Sequence, residues 1–285
     1  MNFWLVQAIN GISYGMLLFL LAAGLSLVFG LMNIVNLAHG SYYMLGTYIG
    51  ITVYRYSQNF FLAVVGAAIG LAIVGVLMQR FILRRLYGNH LGQVLLTFGF
   101  VFIIADISLL VWGGYAQNMP APSFFKGATT MGGVTFPTYR LLVIGVGLLV
   151  ALFLWWFQKG TKMGVAVRAA VDDEEMSQSI GINVPLTTTV VFGISTALAA
   201  VGGVIGGPFI GAYPGVEHEV LLLALVVVII GGLGSLRGAF VGSILVGLLD
   251  NFGKALFPEL SLFTIFAPMA IILAIRPSGL FGRAL

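Results

Sequence analysis

The chain has 285 residues, of which 60% are hydrophobic and only 8% charged, with a formal net charge of +4 and a mean hydropathy of +1.08. A soluble domain carries about 25% charged residues, so these values exclude a soluble globular protein and describe an integral membrane one. The absence of cysteine excludes disulfides, Cys-ligated metals and thiol chemistry; the positive charge reflects loop placement and gives no reason to expect nucleic-acid binding.

Apolar runs such as LLVIGVGLLVALFLWWF and VLLLALVVVII lack the polar–apolar alternation of a membrane β-barrel and suit helices, which cross the hydrocarbon core with about 20 residues. The expected fold is all-α: a polytopic transmembrane helix bundle of about eight spans with helix breaks. No soluble linker divides the chain, so residues 1–285 read as one transmembrane domain. The N-terminus lacks a basic n-region and a recognisable cleavage site, so no cleavable signal peptide is expected.

From Met1 to Tyr54 there is no Asp, Glu, Lys or Arg, an interval too long for one helix and suited to two. Near their junction, GLMNIVNLAHGSYYMLG places Asn33, Asn36 and His39 among apolar residues. In a helix these fall three residues apart, along one face. Polar groups at membrane depth usually face the bundle interior or a watery cavity, so the three are candidates to line or brace a polar pathway, with Gly40 letting the chain bend. Two plainer readings stand beside this: interhelical hydrogen bonds that only hold the bundle together, and a place for His39 at the cytoplasmic interface.

The next span, 59–79, leads to RFILRRLYGNH, where Arg80, Arg84 and Arg85 mark the cytoplasmic side, because Lys and Arg accumulate in cytoplasmic loops. Residues 92–112 then run outward and carry Asp106 within FVFIIADISLLVW. An ionisable residue inside a span is a functional candidate, here for the amino group of a solute or for capping a neighbouring helix. A Gly- and Pro-containing external loop, 113–139, precedes the return span 140–158.

The longest cytoplasmic connection, 159–187, contains Lys159, Lys162 and Arg168. Its centre reads as a short amphipathic helix: Arg168 is four residues before Asp172, Val165, Ala169 and Met176 form an apolar side, and Gly181, Asn183 and Pro185 end it. It is either a solvated connector or a docking element that enters a groove on a cytoplasmic partner. Spans follow at 188–211, 220–235, 239–253 and 260–275. Between the first two, YPGVEHE lies outside; Glu217, His218 and Glu219 either cap the next helix or meet an external protein. This sequence of crossings starts the first helix outside. Small-xxx-small pairs, among them Gly11–Gly15, Gly46–Gly50, Gly66–Gly70 and Gly238–Gly242, predict close helix packing.

The sequence contains no GxxxxGK[ST] phosphate loop, HExxH, GxSxG or dinucleotide fingerprint, and with three histidines and no cysteine no metal site is expected. Any ATP use must therefore come from another chain.

Four stretches in order, GLSLVFGLMNIVNLAHGSYYMLGTYIG, RAAVDDEEMSQSIGINV, GGLGSLRGAFVG and RPSGLFG, resemble the permease subunits of branched-chain amino acid ABC importers, the LivH-type more than the LivM-type. The resemblance implies a pathway shared with a second, LivM-like permease, two cytoplasmic ABC ATPases carrying ATP and Mg, a periplasmic or extracellular solute-binding protein, and a place in the bacterial cytoplasmic (inner) membrane. The 159–187 loop matches the family's coupling helix, which makes Arg168, Asp172, Asp173, Glu174, Glu175 and Met176 candidates for ATPase contact. Related permeases handle urea and short amides, so these are alternative solutes. An ion-coupled secondary transporter is the rival from another class, but it would be expected to carry several intramembrane carboxylates or histidines, and here only Asp106 and Asp250 offer themselves.

Overall fold

The computed structural model describes residues 2–32, 36–131 and 133–282. Among these residues nine longer helices form the bundle: α1 (Asn2–Met32), α2 (His39–Ser57), α3 (Phe60–Phe81), α4 (His90–Trp112), α5 (Tyr139–Gly160), α8 (Val184–Gly206), α9 (Val216–Gly231), α10 (Leu236–Leu256) and α11 (Ser261–Ile275). Two short helices, α6 (Lys162–Asp172) and α7 (Glu174–Ser179), lie between α5 and α8. Among the described residues six segments, those containing α1, α3, α4, α5, α8 and α10, are long and apolar enough to span a membrane, whereas α11 is shorter. The predicted count of about eight therefore resolves into these six together with α2, α9 and α11, which are interrupted, short or less apolar.

α1 and α8 are buried over most of their length and form the centre of the bundle, although α3 and α4 are at least as apolar. Ser195 Oγ donates to the Gly24 carbonyl at 2.8 Å and joins the two. α3, α4 and α5 surround them and present exposed Phe, Leu, Ile and Trp side chains outward, the surface expected to meet lipid. Thr196 Oγ1 donates to the Leu71 carbonyl at 2.9 Å between α8 and α3, and Tyr139 Oη to the Ile205 carbonyl at 2.9 Å between α5 and α8.

The glycine pairs have a visible purpose where backbones touch. A Cβ at Gly15 would lie 2.6 Å from the Ser243 carbonyl oxygen, and one at Gly46 would lie 2.5 Å from the Ala200 Cα, so α1–α10 and α2–α8 pack as closely as the small-residue pattern predicts. Two of the motif stretches also meet: Leu280 N and Phe281 N donate to the carbonyls of Ile230 and Gly231, both at 2.9 Å. The RPSGLFG segment thus folds over the inner end of α9.

Outside, the 113–139 loop contains a feature that its glycines and prolines did not announce. Strands β1 (Ala128–Met131) and β2 (Val134–Pro137) pair antiparallel, because β-branched and aromatic residues flank a tight Gly-containing turn. Gln117 and Ala212 exchange backbone hydrogen bonds of 2.8 and 2.7 Å and pin this loop to the one before α9.

Candidate functional site

The chain between α1 and α2 does not turn at the membrane surface. His39 Nε2 donates to the carbonyl of Leu21 at 2.9 Å, and at 1.5 Å per residue Leu21 lies about 16 Å along α1 from its end at Met32. α2 therefore begins deep inside the bundle, and the interfacial position considered for His39 is ruled out. Asn36 Oδ1 accepts from Ala38 N at 3.1 Å and the Asn36 carbonyl accepts from His39 N at 3.2 Å, an Asx-type start for the helix. Thr97 Oγ1 of α4 accepts from Leu37 N at 3.3 Å and donates to the Val94 carbonyl at 2.9 Å. Thr97 is thus a residue that staples the break, and in the sequence it was one unremarked threonine in an apolar run.

Asn33 lies outside the described residues. Asn36 and His39 are 1% and 0% exposed, enclosed by this chain's own helices, so in this conformation they brace the break. His39 Nδ1 has no hydrogen-bond partner among the described residues, nor do Ser41 Oγ, Tyr43 Oη and Tyr48 Oη further along α2, while the Asn36 amide reaches Tyr42. In a low-dielectric interior such groups are costly to leave unpaired, so the buried length of α2 is a polar strip with donors and acceptors to offer.

Gly40 lies within the first turn of α2 and is not a bend. A Cβ there would stand 2.0 Å from the Glu217 carbonyl oxygen, so glycine is required because α2 and α9 start against one another. The N-terminal ends of two helices, each carrying partial positive charge, therefore meet inside the bundle.

This contact takes Glu217 off the outer surface. Its side chain is 4% exposed, and Oε2 accepts from Gly215 N at 2.9 Å, which places it as a cap on α9. His218 is 55% exposed, its Nε2 3.7 Å from Glu217 Oε1. Glu219 is exposed and accepts from Tyr213 Oη at 2.8 Å; burial and this carboxylate raise the Tyr213 phenol above its ordinary pKa, keeping it a donor. Of the three, His218 and Glu219 are exposed on the surface of this chain.

Asp106 is not brought to this site. The inward face of α4 carries Thr97, Val101, Ile104 and Ser108, and Asp106 sits on the opposite side, exposed between Phe102, Ile103, Leu109 and Leu110. The sequence reading missed this because α4 is apolar around its whole circumference and gives no periodic signal of which side faces in.

At the cytoplasmic end, the single amphipathic helix expected in 159–187 is two. Asp173 interrupts it and caps the second, its Oδ1 accepting from Met176 N at 2.9 Å. α6 packs through Gly164, Val167 and Ala170; the expected apolar side is instead partly outward, with Val165 50% and Met176 59% exposed. Arg168 donates to the Gln158 carbonyl and ties α6 to the end of α5. Glu174 accepts from Tyr87 Oη, which links α7 to the loop after α3 and places the two basic segments at one end of the bundle. Asp172, Asp173, Glu175 and Met176 are exposed, an acidic and apolar edge at this end of the bundle.

An all-helical bundle with an interrupted helix, a buried polar strip beside the break and a protruding inner helix pair is the architecture of a membrane permease. Residues 7–273 match the family described as the permease component of the branched-chain amino acid transport system, and the chain belongs to that family. It is 29% identical to the high-affinity branched-chain amino acid transport permease BraD of Pseudomonas aeruginosa, covering 98% of this chain and 96% of that protein. Identity to LivH of Salmonella typhimurium is 28% over 99% and 96% of the two chains. LivM of Escherichia coli is 27% identical over 93% of this chain and 68% of LivM. No solved structure matches the chain.

Proposed function

We propose that this chain is one of two permease subunits of an ATP-driven importer in the bacterial cytoplasmic membrane, and that it moves branched-chain amino acids delivered by an external solute-binding protein. The observation that carries the reading is the start of α2 inside the bundle, where Asn36, His39 and the first turn of α9 gather polar groups at mid-span depth. Discontinuous helices whose N-termini meet near the midplane are a general device for receiving an anionic solute group. Sparse Asn, Ser and Tyr groups would bind a zwitterion without trapping it. The second subunit is taken to be LivM-like, since relatives of both types align with this chain.

Two cytoplasmic ATPases would hold the ATP and Mg and push through α6 and α7, where Asp172, Asp173, Glu175 and Met176 are exposed. An acidic edge with an apolar knob suits a basic-rimmed groove. Urea and short amides stand as the alternative solutes. The test is ATP-dependent uptake by the reconstituted complex with leucine, isoleucine, valine, urea and acetamide. Uptake of urea alone would overturn the solute assignment, and proton-driven uptake without ATP would overturn the mechanism.

A further inference from the structure

His39, Tyr43 and Thr47 recur at four-residue intervals on α2, so they stand in one row along a face of that helix. All three are buried, and His39 Nδ1 and Tyr43 Oη have no hydrogen-bond partner among the described residues. The row faces the outer end of α8, where glycines leave bare backbone: a Cβ at Gly203 would lie 2.7 Å from Thr47 Oγ1, and one at Gly206 would overlap Tyr43 Oη. Met119 stands at the outer end of this row. A Cβ at Gly207 would lie 2.6 Å from Met119 Cβ and 3.3 Å from Thr47 Cγ2, so both side chains border the same gap. Met119 is 2% exposed, while its neighbours from Gly113 to Pro122 are exposed or half-buried. Few bonds fasten this stretch. Besides the backbone exchange with Ala212, Gln117 Oε1 accepts from Arg55 at the end of α2 at 2.9 Å, and Gln117 Nε2 donates to the Trp112 carbonyl at 2.8 Å. Gly113, before the stretch, and Gly211, beside its bridge partner, have φ of 81° and 79°, backbone states that glycine enters and leaves without steric cost. Methionine is unbranched and adaptable, so its side chain can leave a gap and refill it.

We propose that residues 117–119 are a strap that closes the outer end of the His39–Tyr43–Thr47 row, with Met119 as its stopper. Opening breaks the backbone exchange between Gln117 and Ala212, withdraws Met119 from Gly207 and uncovers Thr47, then Tyr43, from the outside. Closing returns one apolar side chain to the gap and restores the bonds of Gln117 to Arg55, Trp112 and Ala212. The role in transport rests on the import reading above, in which solute reaches the polar strip from outside; the covering of the row by Met119 rests on packing alone.

The test uses the whole transporter complex in right-side-out vesicles loaded with ATP and supplied with the solute-binding protein. In a hydrogen-bonded antiparallel pair the Cα atoms stand about 5.5 Å apart, within the range of about 4.4–6.8 Å that a disulfide spans. Oxidising a Gln117→Cys/Ala212→Cys double variant therefore fastens the strap. Leucine uptake is expected to be about tenfold slower in the oxidised than in the reduced double variant, and to recover with dithiothreitol, as for a transporter whose lid must open in each cycle. The wild-type complex, oxidised in parallel, accounts for thiols on the other subunits. Independently of uptake, Thr47→Cys is treated from outside with a membrane-impermeant methanethiosulfonate, and its modification is read from the mass of this chain. Modification is expected to be slow with Met119 in place, about tenfold faster when Met119→Ala is added, and slow again with Met119→Leu, which keeps the bulk. Full-rate uptake by the oxidised double variant, or equal modification rates with and without Met119→Ala, overturns the proposal. Absence of ATP-driven leucine uptake in the wild type sinks the import reading instead, and the modification rates then decide by themselves whether Met119 covers the row.

Discussion

His39 and Leu21 are separated by 18 residues in sequence and joined by a 2.9 Å hydrogen bond from imidazole Nε2 to a helix carbonyl. The bond fixes where α2 starts, and with it the position of the polar strip. Replacing His39 with Leu removes the donor and is expected to cost about 1–2 kcal/mol, seen as a lower thermal midpoint of the purified complex and slower uptake. His39→Gln retains a donor and should recover most of the loss; equal defects in both variants would count against the hydrogen bond.

Gly40→Ala places a Cβ 2.0 Å from the Glu217 carbonyl oxygen, and backbone cannot yield as a side chain does. A destabilisation of about 3 kcal/mol, at the upper end for overpacking, is expected, with loss of assembled complex on size-exclusion chromatography. Gly99→Ala is the control, since a Cβ there meets nothing within 4 Å and the substitution should be neutral or stabilise by up to about 1 kcal/mol.

Asn36→Ala loses both the acceptor that starts α2 and an amide that lies against Tyr42. Removing a cap of this kind costs about 1 kcal/mol, too little to unfold the bundle. Uptake is nevertheless expected to fall by about tenfold if the amide meets the solute, the scale of one polar contact. Unchanged uptake at wild-type expression would confine Asn36 to bracing.

The chain has no cysteine, so a single cysteine at Met176 reports cleanly on what α7 touches. Crosslinking of Met176→Cys to an ATPase subunit during transport is the expected result. Asp173→Ala should weaken ATP-driven uptake more than Asp173→Asn does, because asparagine keeps the acceptor for Met176 N while alanine loses a cap worth about 1 kcal/mol. Transport at full rate with no crosslink would rule out α7 as the mechanical link.

Asp106→Leu is expected to leave uptake within about twofold, and to favour membrane insertion of α4 by about 1–3 kcal/mol, since a carboxylate on an apolar outward face is costly there. Insertion measured by glycosylation mapping, together with uptake, tests this. A loss of uptake would show that another chain covers this side of α4.

Much of the architecture was legible because lipid imposes one simple constraint, that backbone polar groups be paired within helices. The charge-free intervals and the glycine pairs gave most of the spans and their close packing. The polar stretch around Asn36 and His39 was recognisable from composition alone. The division of the inner loop at Asp173 was less so, because the capping bond of Asp173 competes with continued helix and the periodicity of Val165, Ala169 and Met176 does not register that competition.

The amino-acid sequence by itself determined the solvent, the helical class and the place of the break, all properties set locally by apolar length and by which residues start or stop a helix. Only the tertiary structure decided how deep α2 begins, that Gly40 lies against the backbone of Glu217, that Glu217 is buried while Asp106 faces outward, and that Thr97 supports the break. These depend on contacts between helices distant in the chain, and a helix that is apolar on every side carries no record of which side its neighbours will occupy.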